Sequence, residues 1–207
     1  MTSVEMCDNL VGMASPLLVI GAAYTGKSEM AHAACQAAAR TAVIGTADLS
    51  EGLLRARVDE LKRLRPSHWE HIEGQEDLGA QVRSLSVSGC FDQILLDSVN
   101  QWVAQHMLLN LQKYSLEQLS LHLEYLTKDL VSAIAEASCR IVLVSSEVGA
   151  GISPPRPIAR TFRQLVGRIN CRLAAACPSV IQVTAGIPLT LKGAALPSFS
   201  SPHFSRD

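Results

Sequence analysis

The sequence predicts an α/β fold: a mostly parallel sheet flanked by helices, with a short strand pair near the C-terminus. Three observations lead there. Short β-branched or leucine-rich runs alternate with longer helical stretches from end to end of the chain. The first run is followed at once by Gly21-Ala22-Ala23-Tyr24-Thr25-Gly26-Lys27-Ser28, the G-x-x-x-x-G-K-[ST] pattern of a phosphate-binding loop. The 207 residues, 48% of them hydrophobic, suffice for one domain with a substantial core.

Taken in order, residues 17–20 are a buried strand, and 27–40 form the helix that leaves the loop. Residues 42–44 make a second strand and 50–64 carry helical spacing. A third strand at 93–96 precedes helices at 101–111 and 116–137. The latter places Leu119, Leu123, Leu126, Leu130 and Ile134 on one face. Strand four is 140–144, the next helix 158–176 and strand five 180–183. A last strand at 189–191 follows the Gly186-Ile187-Pro188 turn. Domain organisation then reads as an N-terminal extension (1–15), a P-loop NTPase-like nucleotide-binding domain (16–192) and a flexible tail (193–207). From Pro197 onward that tail has four serines and two prolines and too few apolar residues to fold alone.

In the phosphate loop the glycines let successive N–H groups turn inward on a phosphate, and the following helix adds its positive N-terminal end. Lys27 would reach the β- and γ-phosphates, and the Ser28 hydroxyl would hold Mg²⁺. Ligands of open parallel sheets collect at the carboxyl ends of strands. Asp97 follows Ile94-Leu95-Leu96 there, as a second Mg²⁺ ligand or as a cap of the next helix shared with Ser98 or Asn100. Glu147 follows Val142-Leu143-Val144-Ser145-Ser146, in a loop broken by Gly149, Gly151 and Pro154-Pro155; it is a third site acid or a solvated one. The catalytic candidates are Lys27, Asp97 and Glu147.

The net charge of −1 gives no bulk positive field for nucleic acid or an anionic membrane. No apolar run approaches the roughly 18–20 residues that span a bilayer. Residues 1–15 contain Glu5 and Asp8 but no Lys or Arg, unlike a signal or transit peptide. The six cysteines (Cys7, Cys35, Cys90, Cys139, Cys171, Cys177) show neither a C-x-x-C pair nor zinc spacing and read as small, mostly buried apolar residues of a reduced compartment. A cytoplasmic protein acting on a small molecule is expected.

Several stretches together resemble one family. They are the loop 21–28; Ile94-Leu-Leu-Asp97 through Gln101-Trp102-Val103; residues 144–151 continuing into Ile158-Ala-Arg160-Thr-Phe162-Arg163; Gly167-Arg168-Ile-Asn170-Cys-Arg172; and the closing Val183-Thr-Ala-Gly-Ile-Pro-Leu-Thr-Leu-Lys192. The chain resembles the bifunctional adenosylcobinamide kinase / adenosylcobinamide-phosphate guanylyltransferases of cobalamin biosynthesis from Pro16 to about Lys192. The resemblance implies phosphorylation of adenosylcobinamide by ATP or GTP with Mg²⁺, then GMP transfer from GTP through a guanylylated histidine. It also implies a homo-oligomer, the family's form being a trimer.

Two departures qualify the resemblance. The family histidine precedes an Arg-Pro-x-x-Trp stretch, kept here as Arg65-Pro66-Ser67-His68-Trp69, yet upstream the chain reads Arg57-Val-Asp-Glu60-Leu61-Lys62-Arg63. Glu60 would form only a mixed anhydride, and Leu61 offers no nucleophile. His68 and His71 are not expected to replace it, and His32 and His122 read as structural. Tyr24 stands where the family has arginine, which removes one charge from the loop mouth but leaves the amide cradle intact. Kinase chemistry with an impaired second step is therefore expected, the rival being a non-catalytic nucleotide-binding protein. Arg160, Arg163 and Arg168 read as phosphate or subunit contacts, or as solvated helix residues.

Overall fold

The computed structural model describes residues 15–35, 40–47 and 52–194. The N-terminal extension, except Ser15, and the tail from residue 195 lie outside the described residues, as do the expected helical residues 36–39, 50 and 51. The order is β1 (Leu17–Gly21), α1 (Lys27–Cys35), β2 (Thr41–Gly45), α2 (Gly52–Leu64), β3 (Glu70–Glu73), α3 (Leu78–Val87) and β4 (Gln93–Asp97). There follow α4 (Val99–Asn110), α5 (Leu116–Glu136), β5 (Arg140–Ser146), α6 (Pro157–Ala176), β6 (Ser179–Thr184) and β7 (Ile187–Lys192).

One sheet runs β3-β2-β4-β5-β1-β6-β7, with every neighbouring pair parallel except β6 and β7. The central strands are buried on both faces, which is why they read as unbroken apolar runs. Leu18, Ile44, Ile94, Leu96 and Leu143 face one cluster shared with Leu123, Leu130, Leu165 and Ile169; Leu17, Val19, Val43 and Leu95 face Met30 and Ala31 on the other side. Each such Leu or Ile buried contributes about 1.5–3 kcal/mol. All five apolar residues expected on one face of α5 are buried. That helix packs between α3 and α6, and Arg83 of α3 forks onto Asp129 of α5 with two 2.7 Å hydrogen bonds.

Two elements correct the sequence reading. Strand β3 escaped it because Glu70-His71-Ile72-Glu73 is an edge strand with a single apolar residue, so no hydrophobic run announces it. Helix α3 escaped it too, although Asp77 caps it through Ala80 N and Leu78 and Val82 recur at helical spacing. The run at 93–97 is thus the fourth strand in order.

Register aligns the functional edge. Gly45 pairs with Asp97, Asp97 with Val144, and Gly21 with both Ser146 and Val183. The strand ends that carry the loop, Asp97 and Glu147 therefore open onto one side of the sheet.

Candidate nucleotide and phosphoryl-transfer site

A cavity of about 930 Å³ lies over these strand ends, within the range of small-molecule sites. The loop 22–26 forms one wall. Gly26 takes φ 90°, which a side chain would resist, and its carbonyl accepts from Met30 N as the first helical bond of α1. The loop is braced from outside: Gly186 N donates to Thr25 O at 3.0 Å, and Glu147 N to Gly21 O at 2.9 Å. Thr25 Oγ1 donates to Ala22 O, and Lys27 Nζ reaches the same carbonyl at 3.1 Å across the loop mouth. Tyr24 is 86% exposed at that mouth, with φ 58°.

Ser28 Oγ donates to Asp97 Oδ1 at 3.3 Å, so two residues 69 apart in sequence meet at the first turn of α1. The N-cap of α4 is Ser98, whose side chain makes no capping bond; Asp97 stands one residue outside it. Thr46 holds this edge in place, and sequence reasoning missed it. Its N–H donates to Asp97 O, and its hydroxyl donates to Ser98 O at 2.6 Å and accepts from Ser98 N at 2.9 Å. A threonine just past the second expected strand, at the carboxyl edge where ligands collect, was the available signal. Ser28 and Asp97 offer hard oxygen donors, a set that fits Mg²⁺.

Glu147 lines the cavity, and its carboxylate accepts from the Gly149 N–H of its own loop. Arg163 donates to Gly149 O, Arg160 to the carbonyls of Pro154 and Pro155, and Arg168 pairs with Glu124 at 3.2 Å. The three arginines thus brace the glycine loop and tie α6 to α5.

The far wall comes from α2, β3 and α4. Leu61 is buried against the cavity at 5% exposure, whereas Glu60 is exposed and outside its lining. His71 stands over the end of β2, where Gly45 makes room: a Cβ there would lie 2.6 Å from the imidazole. Arg65 donates to His71 Nδ1 at 3.3 Å, and its Nε points to His32 Nε2 at 3.4 Å. Desolvation, then Lys62 and Arg65, hold the His71 pKa below its ordinary value. His68 is exposed and outside the cavity lining.

His32 is buried edge-on against Trp69, with ring centroids 5.8 Å apart, as its structural reading anticipated. Asp97 Oδ2 is 3.9 Å from its Nε2, yet burial and the Arg65 charge prevail and press its pKa down to about 3. Acceptance from Arg65 gives Nε2 the lone pair, which fits a neutral ring. The folded pKa lies below the unfolded value of 6.5, so the unfolded chain takes up the proton first. The stability of the neutral form is whole above pH 6.5 and is lost as pH falls towards 3. The slope of this one group is about 1.4 kcal/mol per pH unit. Melting curves between pH 7 and 5 should therefore show a steeper acid decline in wild type than in His32→Gln. Parallel declines would contradict the assignment.

His122, read as structural from the sequence, is exposed and lies beside Glu76 and the buried His106.

Among the described residues no helix is long and apolar enough to cross a membrane. Among solved structures, a type III secretion system ATPase from pathogenic bacteria is similar in fold, with TM-score 0.54 and 10% identity over 83% of this chain and 51% of that one. The chain is 31% identical to the bifunctional adenosylcobalamin biosynthesis protein CobU of Salmonella typhimurium, over 85% of this chain and 99% of that protein. It is 29% identical to CobP of Pseudomonas aeruginosa, over 85% and 96%, and 28% identical to CobU of Escherichia coli, over 85% and 99%. Residues 17–191, from the first core strand to the last edge strand, match the family model described as cobinamide kinase / cobinamide phosphate guanyltransferase, and the chain belongs to that family.

Proposed function

We propose that the domain formed by residues 16–192 phosphorylates adenosylcobinamide in the cytoplasm with ATP or GTP, and that guanylyl transfer is impaired in this chain. The observation that carries the first half is the meeting of Lys27, Ser28 and Asp97 at the rim of one cavity. The substrate hydroxyl attacks the γ-phosphorus in line. Its new O–P bond forms as the bond to the β–γ bridging oxygen breaks; the nucleoside diphosphate leaves, and the hydroxyl proton passes to solvent. Lys27 and the loop amides meet the charge on the transferring group, and Glu147 orients the hydroxyl. Ser28 and Asp97 would hold Mg²⁺, which when bound neutralises charge on the β- and γ-phosphates.

The second half rests on Leu61, an apolar side chain where the α2 wall meets the cavity. Self-association belongs to the same reading: Leu108, Leu109, Leu121 and Tyr125 stay exposed on α4 and α5, and light scattering should report a homo-oligomer, the trimer being the family's form. All five described cysteines are free, in keeping with a reduced compartment.

Incubation with adenosylcobinamide and γ-labelled ATP or GTP is expected to move label into the corrinoid. Tight nucleotide binding without transfer would favour the non-catalytic alternative. Tyr24→Arg should lower the nucleotide KM about three- to tenfold by restoring a charge-assisted contact at the loop mouth. An unchanged KM would show that the amide cradle alone sets affinity.

A further inference from the structure

On the far side of α4 from the cavity, Glu76, His106 and His122 converge. Glu76 lies in the β3–α3 loop, His106 on α4 and His122 on α5, and one ligand atom from each falls within 4.8 Å of the others. Glu76 Oε1 is 3.9 Å from both His106 Nδ1 and His122 Nε2, and the two rings tilt by 30° with centroids 5.1 Å apart.

The His106 side chain is only 3% exposed and holds its Nδ1 3.9 Å from the Glu76 carboxylate, beyond hydrogen-bond reach. Trp102, one turn earlier on the same helix, donates from Nε1 to Glu76 O at 2.9 Å and so fixes residue 76 to α4. Gln81 holds the same loop by accepting from Gln75 N and donating to Glu73 O. The backbone beneath the carboxylate is therefore set before any ligand arrives.

We propose that Glu76, His106 and His122 form a binding site for a divalent transition metal of the zinc class, separate from the nucleotide site. Two imidazoles and one carboxylate are a known zinc donor set that leaves a fourth position to solvent. Nitrogen donors favour zinc, cobalt or nickel over magnesium. Tetrahedral zinc with bonds of about 2.05 Å needs ligand atoms about 3.4 Å apart, so the trio must contract modestly. The two exposed members, Glu76 and His122, are placed to do so around the fixed His106. Bound metal would clamp the β3–α3 loop to α4 and α5. Helix α4 turns Asn100, Gln101, Ala104 and Gln105 towards the cavity, so the clamp would stiffen one of its walls.

The test is titration of untagged, nucleotide-free protein with Co²⁺ and Zn²⁺. About one equivalent of Co²⁺ should produce the intense visible absorption of a four- or five-coordinate ion, which an all-oxygen octahedral site does not give. Saturating Zn²⁺ should raise Tm by roughly 5 °C, and Mg²⁺ should not. His122→Ala and Glu76→Ala alter exposed residues and should fold as wild type, while each weakens Co²⁺ binding on the order of tenfold or more. Absence of visible absorption at millimolar Co²⁺ would overturn the proposal. So would binding that both variants leave unchanged, which would point instead to exposed thiols such as Cys90 and Cys171.

Discussion

Lys27→Ala is expected to lower phosphoryl transfer to adenosylcobinamide by about 10²–10³-fold, the usual loss when one preorganised stabiliser of transferring charge is removed. Lys27 opens α1, and its ammonium spans the loop mouth to Ala22 O, so it lies along the path that a triphosphate would take. Among the described residues no other lysine lines the loop side of the cavity; Lys62 stands on the opposite wall. The helix that begins at Lys27 is held by Met30 N to Gly26 O and by its buried face of Met30, Ala31, Ala34 and Cys35, none of which the substitution touches. Its melting temperature should therefore match wild type. Equal activity in a folded Lys27→Ala protein would remove the loop from the mechanism.

Leu61→His carries the second large effect and tests the missing step. Wild-type protein incubated with α-labelled GTP should retain no acid-labile label, because its α2 wall presents a leucine to the cavity. An imidazole there has a neutral nitrogen that can attack the α-phosphorus, release pyrophosphate and later yield the nucleotidyl group to the cobinamide phosphate. Lys62 and Arg65 flank the position and line the same cavity, so positive charge is present for the polyphosphate. The variant should therefore acquire label that acid releases. Burying an imidazole in place of leucine costs about 1–3 kcal/mol, so the melting curve of the variant is the necessary control. A labelled wild-type peptide bearing His71, which also reaches this wall, would refute the account of the second step.

What the sequence disclosed follows from how each element is buried. Strands β1, β4 and β5 are covered on both faces, so Leu17–Gly21, Gln93–Asp97 and Arg140–Ser146 announced themselves as apolar runs, and the loop, Asp97 and Glu147 could be read from the residues that follow them. Strand β3 lies at the sheet edge, where solvent accepts Glu70, His71 and Glu73, and so left no such trace. Leu189 and Leu191 of β7 suggested a strand, although on that opposite edge both remain exposed. Long-range meetings were the least legible. That Gly45 makes room for His71, that Arg65 bridges His71 and His32, and that Glu76, His106 and His122 converge depends on register and helix packing rather than on spacing along the chain.

Titration calorimetry of wild-type protein with ATP or GTP in the presence of Mg²⁺ bears most directly on the claim that residues 21–28 grip a triphosphate. The account predicts saturable heat, a matching rise in melting temperature, and the loss of most of both in Lys27→Ala. No heat and no thermal shift at millimolar nucleotide would contradict it.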